Sequence, residues 1–348
     1  MSMEEQDILR SAVIEFAEKN IANSAVAIER TGITDDLAIS LAAQGFLGAA
    51  LPAEVGGAGI DRQGYAVILK ELASYSPSVS ALVLITGSIA GRLLKGKADS
   101  LLGKIATGEE AFAVSLWPAT DRWGNAGELK ISGNKISGTR RYVIGRPGGC
   151  LVAVTDDGKL VLVNSGFSLW DEEHHLSFRG LKYSVAKIDS GDYEVISSNG
   201  AENMEKILSG MDLEISAMAL GIARGALAKT VDYTKVRKTF EKPLKDYSTV
   251  ANNISRLMSE LRMAEVALQA SGEMNEAEML MLKVHATDLA KRATKYSLQY
   301  HGGYGYIEDF GVEKFYRDAV GLTILLENQV ADGMRLSKEV FGEKSGYL

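Results

Sequence analysis

Two segments near the C-terminus carry residue types suited to binding phosphate. Residues 233–244 (YTKVRKTFEKPL) contain Arg237, and residues 299–318 (QYHGGYGYIEDFGVEKFYRD) contain the pair Gly302-Gly303. A pyrophosphate needs a cation with several donors and backbone amides that it can approach closely, and arginine and glycine provide these. Together the two segments predict a dinucleotide site. The alternative is that the glycines only end a helix and that Arg237 is a solvated helix-terminal cation.

Two glutamates are candidates for a general base. Glu214 lies in the phrase LSGMDLE, at the beginning of a helix-like stretch that Asp212 could cap. Glu327 follows three apolar residues, 324–326. A carboxylate desolvated among apolar side chains suits proton abstraction from carbon, because burial raises its pKa towards neutrality. The third possibility is that both are ordinary exposed helical glutamates.

The remaining residues that could do chemistry predict no metal site and no Rossmann fold. The histidines are His174, His175, His285 and His301, and no Cys, His or carboxylate spacing around them matches a metal pattern. None of the glycine-rich phrases combines the GxGxxG spacing with a preceding strand, which a Rossmann nucleotide site needs.

Composition bounds the class of protein. The chain has 348 residues, of which 46% are hydrophobic and 24% charged, so we expect a soluble, globular protein of two or three domains. A net charge of -7 argues against a nucleic-acid partner. The N-terminus lacks the pattern of a secretion signal, and no apolar run approaches the roughly 20 residues of a membrane span, so we expect no membrane insertion. The single cysteine, Cys150, is expected to be buried, and it fits a cytoplasmic protein.

The periodicity of apolar residues divides the chain into three parts. Residues 1–110 show helical spacing, and residues 111–198 show short alternating or apolar runs separated by glycine. Helical spacing returns in residues 199–348, in the stretches 212–238, 248–271, 277–301 and 319–341. These patterns predict an α+β multidomain protein: an N-terminal α-helical domain, a small antiparallel β-barrel or sandwich, and a C-terminal four-helix bundle.

The two C-terminal segments, together with residues 51–59 (LPAEVGGAG) and 65–74 (YAVILKELAS), resemble the acyl-CoA dehydrogenase family in order and spacing. The resemblance covers most of the chain. The LSGMDLE phrase is most similar to the isovaleryl-CoA and long-chain branches, where a glutamate at the place of Glu214 is the base. Other branches carry their base in a Tyr-Glu-Gly-Thr phrase near the C-terminus. Counting without a gap from Arg317-Asp318 puts Leu326 at the place of that base and Glu327 one residue later. Both Glu214 and Glu327 therefore remain candidates for the base.

The resemblance implies FAD as cofactor and α,β-dehydrogenation of an acyl-CoA in fatty acid metabolism, with a proton taken from Cα and a hydride passing from Cβ to flavin N5. It also implies an electron-transfer flavoprotein as acceptor and a homodimer or homotetramer, since part of each FAD site comes from a partner chain. The residues that it assigns to FAD are Arg237, Thr239, Phe240, Gln299, His301, Gly302, Gly303, Ser115, Thr120 and Tyr142.

Several positions depart from the family pattern. Ile215 stands where an arginine usually follows the glutamate, and Ile144 replaces a residue whose hydroxyl contacts the flavin. Only Ser115 and Thr120 keep hydroxyls in the loop that touches flavin and substrate. Two other functions are therefore alternatives to the dehydrogenase: a flavin monooxygenase or oxidase on the same fold, and a catalytically inactive relative that acts as a subunit.

Overall fold

The first part of the chain is helical. The computed structural model describes residues 1–115, 127–171, 175–325 and 329–342. Ser2 and Glu5 form a capping box at the first helix, and Ser76 caps the helix that begins at Pro77. The helices are α1 (Met3–Asn20), α2 (Ala25–Thr31), α3 (Asp35–Ala43), α4 (Arg62–Tyr75), α5 (Pro77–Val83), α6 (Ala90–Leu94) and α7 (Asp99–Ala106). A π-helical turn, Leu84–Ile89, joins α5 to α6.

A single eight-stranded sheet follows. Its strands are β1 (Phe112–Ser115), β2 (Leu129–Ser132), β3 (Lys135–Gly145), β4 (Cys150–Val154), β5 (Leu160–Val163), β6 (Phe167–Asp171), β7 (Ser184–Gly191) and β8 (Tyr193–Ser197). The order is β6-β7-β3-β1-β4-β5-β8, with β2 paired to β3. All pairs are antiparallel except β1 with β4, which run parallel. The predicted antiparallel β domain is confirmed except at this pair, because alternating apolar residues do not encode strand direction.

Both faces of the sheet are packed. Along β1 and β4, Val114 and Val152 belong to the main core that they share with the helices. Their neighbours Ala113 and Leu151 belong to a smaller apolar cluster on the opposite face. The period of two follows from the pleat, which points successive side chains to opposite faces. The main core is continuous from the N-terminal helices through the sheet to the C-terminal helices.

The last part of the chain is helical again, as predicted. Its helices are α8 (Gly200–Ser209), α9 (Asp212–Val236), α10 (Ser248–Gln269), α11 (Glu276–His301), α12 (Gly303–Tyr306), α13 (Glu313–Leu325) and α14 (Gln329–Phe341). A hairpin of β9 (Lys238–Thr239) and β10 (Lys242–Pro243) separates α9 from α10. The helix predicted over residues 319–341 begins earlier, at Glu313, and a second helix begins at Gln329. Helix α9 packs against α4 and α11 and so connects the two helical parts.

Asp212 does not cap α9. The N-cap position is Met211, and Asp212 lies inside the first turn with its carboxylate turned towards other helices. Its Oδ1 accepts a hydrogen bond from Lys283 at 3.0 Å, and its Oδ2 accepts one from Arg335 at 3.2 Å. The prediction of a cap was wrong, because cations on α11 and α14 bind this carboxylate.

One stretch, Pro77–Leu94, has 18 residues and a composition apolar enough to cross a membrane, contrary to the expectation that no apolar run approaches that length. Within the structure 89% of this stretch is buried. A mostly buried core helix passes the same test, so a single stretch of this kind is weak grounds for a membrane span.

Candidate active site

Glu214 lies in the first turn of α9 and is almost completely buried, with 4% of its surface exposed. Its Oε1 accepts a hydrogen bond from Nη2 of Arg92 at 2.6 Å and from the hydroxyl of Ser88 at 3.3 Å. Among the described residues, Oε2 accepts no hydrogen bond, and Nη2 of Arg62 lies 3.7 Å from it. One carboxylate oxygen is therefore held and the other is available.

The carboxylate of Glu214 lines a cavity of about 610 Å³. The cavity lies between α4, the π-helical turn, α6 and the start of α9, and residues 50–52 and 60 complete its wall. Its lining residues are Ala50, Leu51, Pro52, Ile60, Arg62, Tyr65, Gly87, Ser88, Gly91, Arg92, Lys95, Gly96 and Glu214. A concave site with apolar walls and one buried carboxylate has the properties of a small-molecule pocket.

The π-helical turn shapes one wall of this cavity. Such turns inside α-helices occur frequently at functional sites. Here the turn carries both Gly87 and Ser88, which face the cavity. A Cβ on Gly87 would lie 2.7 Å from the hydroxyl oxygen of Tyr65, so only glycine fits there.

Tyr65 is a fixed, neutral part of the wall. Its hydroxyl donates a hydrogen bond to the carbonyl of Val83 at 2.8 Å. Burial, and after it the negative charge of Glu214, raise the pKa of Tyr65 well above its ordinary value of 10.0. The phenol therefore keeps its proton and does not compete with Glu214 as a base.

The two C-terminal segments meet in space within one chain. The ring of Tyr233, near the end of α9, stacks on His301 with the ring centroids 4.4 Å apart. The guanidinium of Arg237 lies over the ring of Tyr304, 5.9 Å from its centroid. The arginine and the Gly302-Gly303 pair, which are more than sixty positions apart in the chain, are thus brought to the same region.

The residues of this region differ in accessibility. Arg237, Thr239, Gln299 and both glycines are exposed, and Phe240 is 92% exposed at the tip of the β9–β10 hairpin. Gly302 has φ 57° and ψ -134°, a conformation that only glycine adopts easily. A Cβ built on either glycine would have no atom within 4 Å, so their backbone is open to a ligand.

His301 differs from its neighbours. It is 4% exposed, and its Nδ1 lies 2.7 Å from the carbonyl oxygen of Ser297. Burial lowers the pKa of His301 below its ordinary value, which favours a neutral ring. The ring packs inside the chain, so this position can contact a cofactor only through its backbone.

At the sheet, the predicted cofactor residues Ser115 and Tyr142 lie on neighbouring strands, because Ser115 pairs with Val143. Ser115 is fully buried, and its hydroxyl donates to the carbonyl of Arg141 at 3.2 Å. Tyr142 lies at a register shift between β3 and β7 and has φ 56°. A β-bulge re-aims a side chain, and positive φ in a tyrosine is a strained conformation that often marks a functional position. Thr120 and Glu327 lie outside the described residues.

Sequence reasoning missed Arg62, Ser88 and Arg92, which contact the Glu214 carboxylate. They lie on α4, the π-helical turn and α6, more than 120 positions before Glu214. No local pattern links them to it. Within the described residues, no group of three His, Cys, Asp or Glu side chains is arranged to hold a metal ion.

The chain thus has helices before and after a central sheet and a buried glutamate at the start of a long helix. Family models match the chain twice: "Acyl-CoA dehydrogenase, N-terminal domain" over residues 3–100 and "Acyl-CoA dehydrogenase, C-terminal domain" over residues 198–326. The chain belongs to the acyl-CoA dehydrogenase family.

Curated relatives align along nearly the whole chain. The caffeyl-CoA reductase-Etf complex subunit CarC of Acetobacterium woodii is 26% identical, over 96% of this chain and 99% of its own. The 3-(aryl)acrylate reductase of Clostridium sporogenes is 25% identical, over 90% and 93%. Cyclohexane-1-carbonyl-CoA dehydrogenase of Geobacter metallireducens is 27% identical, over 98% of both chains.

Solved structures show the same fold. Butyryl-CoA dehydrogenase of Megasphaera elsdenii superposes with a TM-score of 0.82 at 20% identity, over 97% of this chain and 98% of that one. A glutaryl-CoA dehydrogenase of Mycobacterium smegmatis, solved with FADH2, gives a TM-score of 0.83 at 19% identity, over 100% and 97%. FAD is the cofactor of the family.

The described residues fit a flavin dinucleotide best at its phosphate end. Among them the guanidinium of Arg237 has no ion-pair partner, and the open backbone at Gly302-Gly303 lies in the same region. These are the donors that a diphosphate needs. At the sheet, Tyr142 supplies an aromatic ring, whereas the hydroxyl of Ser115 is already bonded to a backbone carbonyl.

Proposed function

We propose that this protein catalyses FAD-dependent α,β-dehydrogenation of an acyl-CoA thioester, with Glu214 as the base that takes the proton from Cα. The observation that carries this is the Oε2 atom of Glu214, which lies in the cavity wall without a hydrogen-bond donor among the described residues. A general base needs an accepting atom that can reach the substrate proton.

In this proposal the two oxygens of Glu214 have different tasks. Oε1 is anchored by Arg92 and Ser88, which fixes the carboxylate in one orientation. Oε2 takes the proton, and the electron pair of the Cα–H bond forms the Cα–Cβ double bond. FAD, when bound, would supply the acceptor for the hydride that leaves Cβ. Arg237 and the backbone at Gly302-Gly303 would hold the diphosphate of the cofactor, and Tyr142 its ring system.

Three further parts of the proposal concern partners and location. The similarity to an Etf-complex subunit supports an electron-transfer flavoprotein as redox partner. Assembly with a second copy, as a homodimer or homotetramer, is what the family resemblance implies, and it would cover the side chain of Phe240, which is 92% exposed. Light scattering would measure the oligomer. A cytoplasmic location stays a prediction.

The decisive experiment is anaerobic addition of short-, medium- and branched-chain acyl-CoAs to the FAD-loaded protein while the flavin absorbance band is followed. We expect bleaching, slowed about 100- to 10,000-fold in Glu214→Gln. Glu205→Gln removes an exposed carboxylate on α8 and is the matched control. Loss of bleaching in Glu327→Gln instead would assign the base there. Bound flavin that no thioester bleaches would favour the monooxygenase or oxidase, and failure to bind FAD would favour an inactive subunit.

The reverse reaction, reduction of an enoyl-CoA, is a second candidate. Two of the relatives that align along most of the chain are reductases. Glu214 would then deliver a proton to Cα. Chemically reduced protein mixed with an enoyl-CoA should regain the flavin band, and the ratio of the two rates decides which direction dominates.

A further inference from the structure

The cavity at Glu214 carries more positive than negative charge. Its lining includes the cations Arg62, Arg92 and Lys95 and a single carboxylate, Glu214. Arg92 is committed to Oε1 of Glu214 at 2.6 Å and to the carbonyl of Ile207 at 3.2 Å. Besides the close pair of Arg92 and Glu214, the cavity is therefore lined by two further cations, Arg62 and Lys95.

Within the part of the chain that the structure describes, Lys95 has no ion-pair partner, and Arg62 has only a long one, to Glu214. Arg62 approaches Oε2 of Glu214 only to 3.7 Å, and its side chain is 62% exposed. Two carboxylates lie close by in the chain, but neither lines the cavity: Asp61 pairs with the N-terminal ammonium group and accepts from the amide of Gly64 at 2.8 Å, and Asp99 accepts from the amide of Gly96 at 2.6 Å. The cavity is thus electropositive, and such a cleft attracts an anion.

We propose that the acyl group of the substrate ends in an anionic group, with a carboxylate as the simplest case, which Arg62 and Lys95 bind. This inference rests on the proposed function, because it takes Glu214 as the base. Arginine binds a carboxylate through two parallel hydrogen bonds, and lysine adds a compact charge. The apolar wall of Leu51, Ile60 and Tyr65 would accommodate a short chain of methylene groups between the reacting carbon and that carboxylate.

The position of Glu214 favours an acyl anion over the phosphates of CoA. Oε2 must reach the proton on Cα, so the cavity that it lines holds the acyl group. The phosphates of CoA are separated from the thioester by the whole pantetheine arm. An unsubstituted alkyl chain would instead lie against Arg62 and Lys95 without giving Lys95 a partner, which costs desolvation energy.

The test compares glutaryl-CoA with hexanoyl-CoA on the FAD-loaded protein, by calorimetric binding and by anaerobic flavin bleaching. We expect glutaryl-CoA to bind about tenfold more tightly or better, as one gained ion pair would give. Arg62→Met and Lys95→Met should each bring the ratio of the two dissociation constants, for hexanoyl-CoA and glutaryl-CoA, back towards one. Lys97→Met is the matched control, since Lys97 is exposed two positions from Lys95 and does not line the cavity.

The outcomes separate this inference from the proposed function. If hexanoyl-CoA binds and bleaches the flavin as well as glutaryl-CoA, the inference is wrong and the dehydrogenase stands. If Arg62→Met weakens both esters and free CoA equally, the cations bind CoA phosphate and the inference is also wrong. A calorimetric preference for glutaryl-CoA without any bleaching would support anion recognition and refute the dehydrogenase. Absence of binding by either ester would overturn both.

Discussion

The guanidinium of Arg92 on α6 lies 2.6 Å from Oε1 of Glu214 on α9 and so joins the two helical parts of the chain at the candidate base. The contact is enclosed, since the side chain of Glu214 is 6% exposed and that of Arg92 is 30% exposed. A charge-assisted bond of this kind holds a carboxylate in one orientation. The N-terminal helices therefore orient a base that the C-terminal helix carries.

Arg92 is accordingly expected to be a positioning residue. In Arg92→Met the carboxylate of Glu214 loses its anchor, and we expect kcat for flavin reduction to fall about tenfold to a hundredfold, with a smaller change in KM. Arg92→Lys should restore part of the rate. The control is Arg146→Met, which breaks the Arg146–Asp35 pair at 2.9 Å, away from the cavity. A rise in KM with kcat unchanged would show that Arg92 contributes only to substrate binding.

Lys283 should be essential for stability. Its ammonium group is 2% exposed and lies 3.0 Å from Oδ1 of Asp212 and 2.6 Å from Oδ2 of Asp332. In Lys283→Met two mostly buried carboxylates lose one of their two shared cations and keep Arg335, and we expect the free energy of unfolding to fall by about 2–3 kcal/mol. Denaturant titration measures it. Lys295→Met, exposed on the same helix, should stay within about 0.5 kcal/mol. Similar values for the two variants would contradict the prediction.

The β9–β10 hairpin turns on two consecutive residues with positive φ, Phe240 at 50° and Glu241 at 62°. Such a turn favours glycine or asparagine, and a glutamate in this conformation costs about 1–2 kcal/mol. We expect Glu241→Gly to raise the free energy of unfolding by about 1 kcal/mol in denaturant titration. Glu241→Ala removes the same charge but keeps the Cβ, so it should give little gain. An equal gain in both variants would attribute the effect to charge.

Cys150 should be unreactive in the native protein. It is 3% exposed, and burial, with a smaller contribution from Glu110, raises the pKa of its thiol from 9.0 to about 12. A thiol reagent at pH 8 should therefore label it only through unfolding, at a rate that follows denaturant concentration. Fast labelling without denaturant would contradict the buried thiol.

The same shift has a consequence for stability. The pKa of Cys150 is higher in the folded state, so its contribution to the free energy of unfolding is complete below pH 9 and is lost as the pH rises towards 12. Cys150→Ser, whose hydroxyl does not titrate there, should flatten the fall in stability above pH 9 that unfolding curves record.

The sequence determined the order of helices, strands and helices, the resemblance to a flavoprotein family, and Glu214 as a candidate base. These follow from local periodicity and from short phrases whose residues are close together in the chain. Local sequence patterns predicted the structure less well where contacts with residues remote in the chain decide it. Asp212 has the residue type of a cap, but two cations on α11 and α14 bind it. Strand direction between β1 and β4 also depends on the path of the whole chain.

Only the tertiary structure decided the state of the candidate site. The sequence placed Glu214 on a helix, but packing of α4 and α6 against α9 brought Arg62, Arg92 and Ser88 to its carboxylate. Packing likewise turned the ring of His301 inward, which leaves only its backbone for the cofactor contact that the family resemblance implies. The physical reason is that ion pairing and burial depend on distances between side chains from remote segments, whereas a sequence pattern reports only on residues a few positions apart.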